Sequence, residues 1–284
     1  MCAGKNMKII LFVILLLTGS LSLYAEQTIK YGISSMLSAS NTFIYYEEFN
    51  AYIAEKMGVK SEIIHKESYS DMNQLLENEQ VDFASICTGA MLYLDQEAYS
   101  IVAVPEIDGK STYNSLIISN KNQKMKNTSD LAGKTFAMTD RLSNTGYLFP
   151  TYYFTKNFTK PENFFSKVFF TSSHDKSIYL VNKGVVDGAA VDNLVYLNIK
   201  NNNEKDVENI NIIHISDEFG IPPIVASKKM TKTDIAKLRK ILLEMHEDKL
   251  GKKILSRFMI DKFIVPDLKN YENVIKMKGY VETN

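Results

Sequence analysis

"VDGAAVDN", residues 186–193, repeats "VDFASICT" of residues 81–88 at an offset of 105 residues. Each is a short apolar run closed by polar residues, the pattern of a buried strand arriving at the edge of a sheet. The same offset pairs other strand ends. Tyr31 falls opposite Phe136, Ser38 and Ser40 opposite Ser143 and Thr145, and Tyr69 opposite His174. Cys87 and Thr88 fall opposite Asp192 and Asn193. One such match means little. A gapless series of them predicts two lobes built to one design.

Outward from these stretches, strand and helix patterns alternate. "TIKYGIS" (28–34), "VKSEIIHK" (59–66) and "VDFASIC" (81–87) read as strands. Between them, "TFIYYEEFNAYIAEKMG" (42–58) and "SYSDMNQLLENEQ" (68–80) read as helices. The second half repeats the order with "KTFAMTD" (134–140), "NTGYLFPTYYFTKNF" (144–158), "SKVFFTSS" (166–173), "DKSIYLVNKG" (175–184) and "VDGAAVD" (186–192). This predicts an α/β protein of two lobes, each a mixed, largely parallel sheet flanked by helices, with a cleft between them. The expected division is a leader over 1–25, lobe 1 over 26–115 and 226–284, and lobe 2 over 116–225. "VAVPEIDGKSTYNSLIIS" (102–119) reads as strand, turn and strand carrying the chain across, and "IPPIVAS" (221–227) as the return. "NNNEKDVENINI" (201–212) reads as a polar loop, and the helices after residue 231 are expected to pack on lobe 1. In open α/β sheets ligands bind beyond the carboxyl ends of the strands. The paired positions all lie there, so both lobes should present them to a common cleft.

The 284 residues are 45% hydrophobic and 11% aromatic, enough for one large core or two smaller ones. Lys plus Arg number 33, as do Asp plus Glu. Lys5 and Lys8 lie in the leader, which leaves 31 basic residues against 33 acidic ones. That balance argues against a nucleic-acid partner, which needs a clustered basic surface. "MCAGKNMKIILFVILLLTGSLSLYAEQ" reads as a secretory signal: Lys5 and Lys8 first, an apolar run over Ile9–Leu17, then small residues to a cleavage point at Ala25. The run is short of the ~20 residues that span a bilayer. Periplasmic location is the expectation. Removal of the leader takes Cys2 and leaves Cys87 as the sole thiol, so the fold must stand without an intramolecular disulfide. In its apolar setting Cys87 reads as a small buried hydrophobe.

"DRLSNTGYLFP" (140–150) carries the chemistry. Ser143, Asn144 and Thr145 bring side-chain donors, and Gly146 admits close approach to the backbone. A helix start of this kind is either a plain cap or a seat for an anion, since its N–H groups are unpaired and carry a partial positive charge. Pro150 lies too deep for a first-turn proline and should kink the helix or split off its first turn. His174, at a strand end, is either a donor to an anion or a surface residue beside a cap. Asp192 closes an apolar strand, where a charge must be paired or wet. It is placed to hold a ligand amine, to accept from a protonated ligand oxygen, or to cap the next helix. Tyr46, Tyr69, Tyr93 and Tyr113 offer phenol groups, though core packing explains most tyrosines in a chain with sixteen. The four histidines at 65, 174, 214 and 246 show no metal-binding spacing, and no phosphate loop or Gly-x-Ser-x-Gly occurs. No metal or cofactor is expected.

At these residues the sequence resembles the PhnD-like phosphonate/phosphite substrate-binding proteins of ABC importers. The resemblance rests on Ser143-Asn144-Thr145-Gly146-Tyr147 with Pro150, on "GKSTYNS", "SSHDKSIYLVNKGVVDGAAVD" and "IPPIVASKKM", and on "GKKILSRFMIDKFIVPDLKNYENV". It implies two hinged lobes of the type II periplasmic binding class, acting as a monomer that delivers a small phosphorus oxyanion to a membrane permease and its ATPase. Position by position it implies that Ser143, Asn144, Thr145 and Gly146 hold the oxyanion and that His174 donates to it. Tyr46, Thr88, Tyr113 and Asp192 would line the rest of the pocket. Thr145 stands where a second serine is commoner, and "FASICTG" departs from the family's strand end, which leaves the far end of the ligand open. Sulfonate, phosphate or a thiamine-precursor pyrimidine as ligand, a sensory role, and a secreted hydrolase using Ser143 and His174 are the competing readings.

Overall fold

The computed structural model describes residues 27–34 and 39–284. The expected leader over 1–25 and the position of Ser38 lie outside them. In the first lobe, β1 (Thr28–Ser34) runs parallel to both β2 (Lys60–Lys66) and β3 (Phe83–Ser85). Antiparallel β12 (Ile224–Ser227) joins β3 to β4 (Tyr99–Glu106), and β13 (Lys262–Ile264) closes the edge, giving the order β13-β4-β12-β3-β1-β2. In the second lobe, β7 (Thr135–Met138) runs parallel to β8 (Lys167–Phe170) and β9 (Gly188–Asp192). Antiparallel β6 (Ser115–Asn120) and β10 (Ile210–Ile215) complete the order β10-β6-β9-β7-β8. Both sheets are thus mixed, with a three-stranded parallel core. Between them β5 (Thr112–Tyr113) pairs with β11 (Phe219–Gly220), so the outgoing and returning chain form one short antiparallel ladder.

The 105-residue offset survives in the register. Tyr31 lies opposite Ile63 and Phe83, and Phe136 opposite Val168 and Gly188. The helices keep it too. α2 (Tyr69–Glu77) begins after Ser68, and α6 (His174–Asn182) after Ser173. Cys87 precedes α3 (Thr88–Met91) where Asp192 precedes α7 (Asn193–Asn202).

Apolar periodicity puts α1 (Ala39–Met57), α8 (Lys232–Glu244) and α9 (Lys249–Arg257) on one face of the first sheet, where Phe49, Ile53, Leu238, Leu242 and Leu255 are buried together. Under α4 (Phe149–Asn157) and α5 (Pro161–Phe164), Phe136 stacks on Phe165 at 4.2 Å, with Phe154 edge-on at 5.7 Å. Ile210–Ile215, whose first residues read as polar loop, form edge strand β10, because Ile210 faces the core beside Val207. Residues 144–148 form a single wide π turn, and Pro150 stands in the first turn of a separate helix, where its missing N–H costs nothing. The final helix, α10 (Glu272–Thr283), leaves lobe 1. Tyr271 anchors the chain there by donating to the Ile221 carbonyl at 2.8 Å. Val274 and Met277 then bury themselves with Leu148 and Phe154 of lobe 2. No helix among the described residues is long and apolar enough to cross a membrane.

Candidate functional site

The carboxyl end of β7 leads directly into the turn at 140–146. Asp140 fixes its start by accepting the Leu142 N–H at 2.7 Å. Ser143 is the helix cap, its Oγ accepting the Gly146 N–H at 3.0 Å. A Cβ at Gly146 would lie 1.9 Å from the Thr139 hydroxyl, so only glycine fits. The Thr145 carbonyl is held by the Ser115 hydroxyl at 2.7 Å. The heart of the turn is buried, Ser143, Asn144 and Thr145 keeping 0%, 0% and 1% of their surface, while Arg141 at its start is exposed.

Lobe 1 covers it. The Tyr69 N–H donates to Asp140 at 3.2 Å, and the Asn144 N–H donates to the Cys87 sulfur at 3.5 Å. Asn144 Nδ2 donates to the Tyr113 phenol at 3.1 Å, and the Thr88 hydroxyl donates to the Gly220 carbonyl at 2.7 Å. Gly89 makes the approach possible. A Cβ there would stand 2.4 Å from the Leu142 carbonyl oxygen and 2.6 Å from the Asn144 nitrogen, and backbone atoms cannot step aside.

His174 and Asp192 complete the enclosure from the ends of β8 and β9. His174 Nδ1 accepts the Asp192 N–H at 3.1 Å. A neutral imidazole with an accepting Nδ1 carries its proton on Nε2, which is therefore a donor. Burial holds the ring neutral, pushing its pKa down to about 4 against the opposing pull of Asp175. Asp192 caps α7 by accepting the Leu194 N–H at 2.7 Å and the Val195 N–H at 3.3 Å. Burial nevertheless pushes its carboxyl up to about 7, the two N–H groups opposing. The same desolvation holds Tyr69 and Tyr113 well above the usual phenol range and pushes the Cys87 thiol up to about 11.

Around this junction several buried polar atoms have no hydrogen-bond partner among the described residues: Asn144 Oδ1, Thr145 Oγ1, Thr139 Oγ1, Ser173 Oγ and Tyr69 Oη. Each such atom costs about 1–3 kcal/mol when left unmatched, and native proteins tolerate few of them. Three are hydroxyls of Thr and Ser and one is a phenol, and these four can donate, whereas the Asn144 amide oxygen only accepts. The arrangement is suited to an acceptor-rich group. Among the described residues no cluster of His, Cys, Asp and Glu is disposed to hold a metal ion.

Of the residues singled out from sequence, Ser143, Asn144, Thr145, Gly146, Tyr113, Thr88, His174 and Asp192 gather at this junction. Most of them already make a side-chain hydrogen bond: Ser143 as a cap, Thr88 on the hinge backbone, Asn144 with Tyr113, His174 to the Asp192 N–H and Asp192 as the cap of α7. Tyr46 stands apart, half-buried in the wall of a neighbouring cavity that Asp192 also borders. Gly89 and Ser173 carry no signal in the sequence reading, whereas Tyr69 is one of the four tyrosines whose phenol it offers to the cleft. The pairing of Tyr69 with His174 at the shared offset was the available signal for its place in the site. The close approach at Gly89 leaves no trace in sequence.

Two α/β lobes, joined by crossing strands and closed over a buried polar junction, define a type II periplasmic binding protein. Residues 31–271 match the family of periplasmic substrate-binding proteins of phosphonate ABC transporters, and the chain belongs to that family. It is 26% identical over 239 residues to the phosphonates-binding periplasmic protein of Escherichia coli K12, covering 82% of this chain and 70% of that one. It is 27% identical over 186 residues to the probable ABC transporter phosphite binding protein PhnD1 of Prochlorococcus marinus MIT 9301, covering 61% of this chain and 62% of the relative, less than two thirds of that protein. The binding protein component of an ABC phosphonate transporter from Pseudomonas aeruginosa shares the fold with a TM-score of 0.84 at 23% identity, over 90% of this chain and 87% of that one. The Prochlorococcus marinus PhnD1 structure in complex with methylphosphonate superposes with a TM-score of 0.81 at 20% identity, over 90% of this chain and 99% of the other.

Proposed function

We propose that the protein captures a small phosphorus oxyanion (phosphonate, phosphite or a phosphate-like ion) between its lobes and hands it to an ABC permease and ATPase at the outer face of the membrane. The observation that carries this reading is the ring of buried hydroxyls lacking partners where the 140–146 turn meets lobe 1. Thr145 Oγ1, Ser173 Oγ and Tyr69 Oη donate to the oxyanion, and His174 contributes its Nε2–H. Asn144 uses its amide to bind Tyr113 and thereby ties the hinge strand to the turn. Gly146 and Ser143 shape the turn, and Ser143 retains its hydroxyl proton for the ligand. Below its pKa Asp192 donates as well; above it, the carboxylate repels an anion or pairs with a ligand amine. Thr88 fixes lobe 1 to the hinge, and Tyr46 lines the outer approach. Closure of the lobes is the signal a permease reads.

The role is binding rather than catalysis. A nucleophilic serine needs a base in contact, whereas Ser143 accepts from Gly146 and His174 from Asp192, and no hydrogen bond joins the two among the described residues. The protein works in the periplasm as a monomer, with no cofactor. Titration calorimetry with phosphite, methylphosphonate, phosphate and sulfate tests the reading. At least one phosphorus oxyanion should bind with micromolar or tighter affinity, and sulfate should not. Equal binding of sulfate, or no binding of any of the four, would overturn it.

A further inference from the structure

The end of the chain touches the hinge, the seat and both lobes. Tyr271, immediately before α10, is buried in the core of lobe 1 with Met72, Leu76 and Val225. Its ring lies so close on the returning hinge strand that a Cβ at Gly220 would stand 2.8 Å from it. Its hydroxyl holds the next carbonyl, that of Ile221, while the Gly220 carbonyl takes the Thr88 hydroxyl. Two lobe 1 side chains thus grip successive hinge carbonyls, and the base of α10 is fixed where the chain crosses between the lobes.

Beyond that anchor α10 packs on lobe 2. Val274, Met277 and Val281 recur at helical spacing and form its apolar stripe. They meet Leu148, the last residue of the turn that carries Thr145 and Gly146, and Phe154 of α4. The Tyr280 ring stands edge-on to Tyr152 at 5.1 Å. The helix therefore backs the seat and moves with it. On its flank it meets lobe 1 again. Lys278 Nζ stands 4.4 Å over the ring of Tyr93, which follows α3, and the neighbouring Leu92 packs against the cluster of Val274 and Met277. Glu282 holds the same ammonium at 3.4 Å. Lys278 lies one and a half to two turns past the Tyr271 anchor, about 10 Å along the helix at ~1.5 Å per residue. A cation–π contact holds within about 6 Å of the ring centre, so a rotation about the anchor that parts the lobes breaks it.

We propose that Lys278 and Tyr93 form an interlobe latch, made when the lobes close and broken when they part. Through it α10 ties the oxyanion turn to lobe 1, and both are positioning residues that act on affinity without touching the ligand. The proposal rests on the reading that the lobes close on an oxyanion. Calorimetry on the full chain with phosphite and methylphosphonate tests it. Lys278→Met, which keeps the apolar stem, and Tyr93→Leu should each weaken the ligand that binds about two- to fivefold, the size of a partly exposed cation–π contact. Tyr93→Phe, which keeps the ring, should bind as the unsubstituted protein does. The double substitution Lys278→Met with Tyr93→Leu should be no weaker than either alone, since both remove one contact. Thermal unfolding without ligand should not change. The chain contains no tryptophan, so Tyr93→Trp sets a single fluorophore at the latch. Its emission should change when the ligand is added, and Lys278→Met should shrink that change at least twofold. Unaltered affinity in both single variants, losses that multiply in the double variant, Tyr93→Phe as weak as Tyr93→Leu, or emission unmoved by a ligand that calorimetry shows to bind would each overturn the latch and leave the oxyanion reading standing. Binding of neither compound to the unsubstituted protein would overturn both.

Discussion

The two lobes carry the same strand ends and put different chemistry on them. Lobe 2 offers His174 and Asp192, and lobe 1 offers Tyr69 and Cys87 at the corresponding positions. All four are buried. The lobe 2 pair joins directly, Asp192 N–H to His174 Nδ1, and leaves an Nε2–H donor. The lobe 1 pair is softer: a neutral phenol and a thiol whose sulfur accepts the Asn144 N–H from across the cleft. In the proposed reading one repeated frame serves two tasks: lobe 2 grips the ion, and lobe 1 closes over it with neutral groups that add little charge to the burial.

This division ranks the expected effects. His174→Ala removes a donor to a charged group and should weaken oxyanion binding by about 1.5–3 kcal/mol, roughly 10- to 150-fold, measured by calorimetry. His246→Ala, remote from the turn, should leave affinity unchanged. Gly89→Ala tests the closing lobe. Its methyl would meet backbone atoms at 2.4 and 2.6 Å, and overpacking of that kind costs about 1–3 kcal/mol. The loss should appear in affinity and as a failure of small-angle scattering to show compaction on adding phosphite, with thermal stability of the ligand-free protein little changed. If Gly89→Ala binds normally, lobe 1 does not close by this contact.

The pH profile separates the lobes in another way. With the Asp192 carboxyl at about 7 and His174 at about 4, Asp192 is the seat group that changes charge between pH 6 and 8. Tyr69, Tyr113 and Cys87 stay neutral there because burial raises all three. A raised carboxyl pKa means the protonated, donating form prevails at the acid end. Oxyanion affinity should fall about tenfold from pH 6 to pH 8, one pKa unit being about 1.4 kcal/mol. Asp192→Asn should flatten the curve to what the ligand's own titration produces. The smallest effect belongs to Tyr69→Phe. Loss of its hydroxyl, one donor among several to the same charged group, should cost about 1.5 kcal/mol in affinity, the low end of the range expected for His174→Ala. An effect as large as that of His174→Ala would erase the proposed asymmetry.

Much of this was legible in the chain. The offset that pairs "VDFA" with "VDGA" reappears as strand register, because parallel strands feeding similar helices repeat their apolar spacing. The turn at Ser143–Gly146 was legible because glycine and hydroxyl residues rarely gather after a buried strand without a cap or ligand to serve. What escaped was long-range. Gly89 looks like any helix glycine until Leu142 arrives from the other lobe. α10 changes lobes because its apolar stripe at Val274 and Met277 finds Leu148 and Phe154, which no local pattern announces. The wide π turn before Pro150 brings Gly146 back against Thr139, a close approach that leaves room for no side chain there.

The central claim, that the lobes close on an oxyanion at these paired strand ends, is tested most directly at Cys87. It keeps 3% of its surface, and its sulfur bridges the lobes through the Asn144 N–H, so a reagent reaches it only when they part. In a Cys2→Ser background the rate of modification by a small thiol reagent should be measured with and without saturating phosphite or methylphosphonate. Closure predicts at least a tenfold slowing with the ligand that binds, and none with sulfate. A Cys87 rate that the bound oxyanion leaves unchanged would contradict the account.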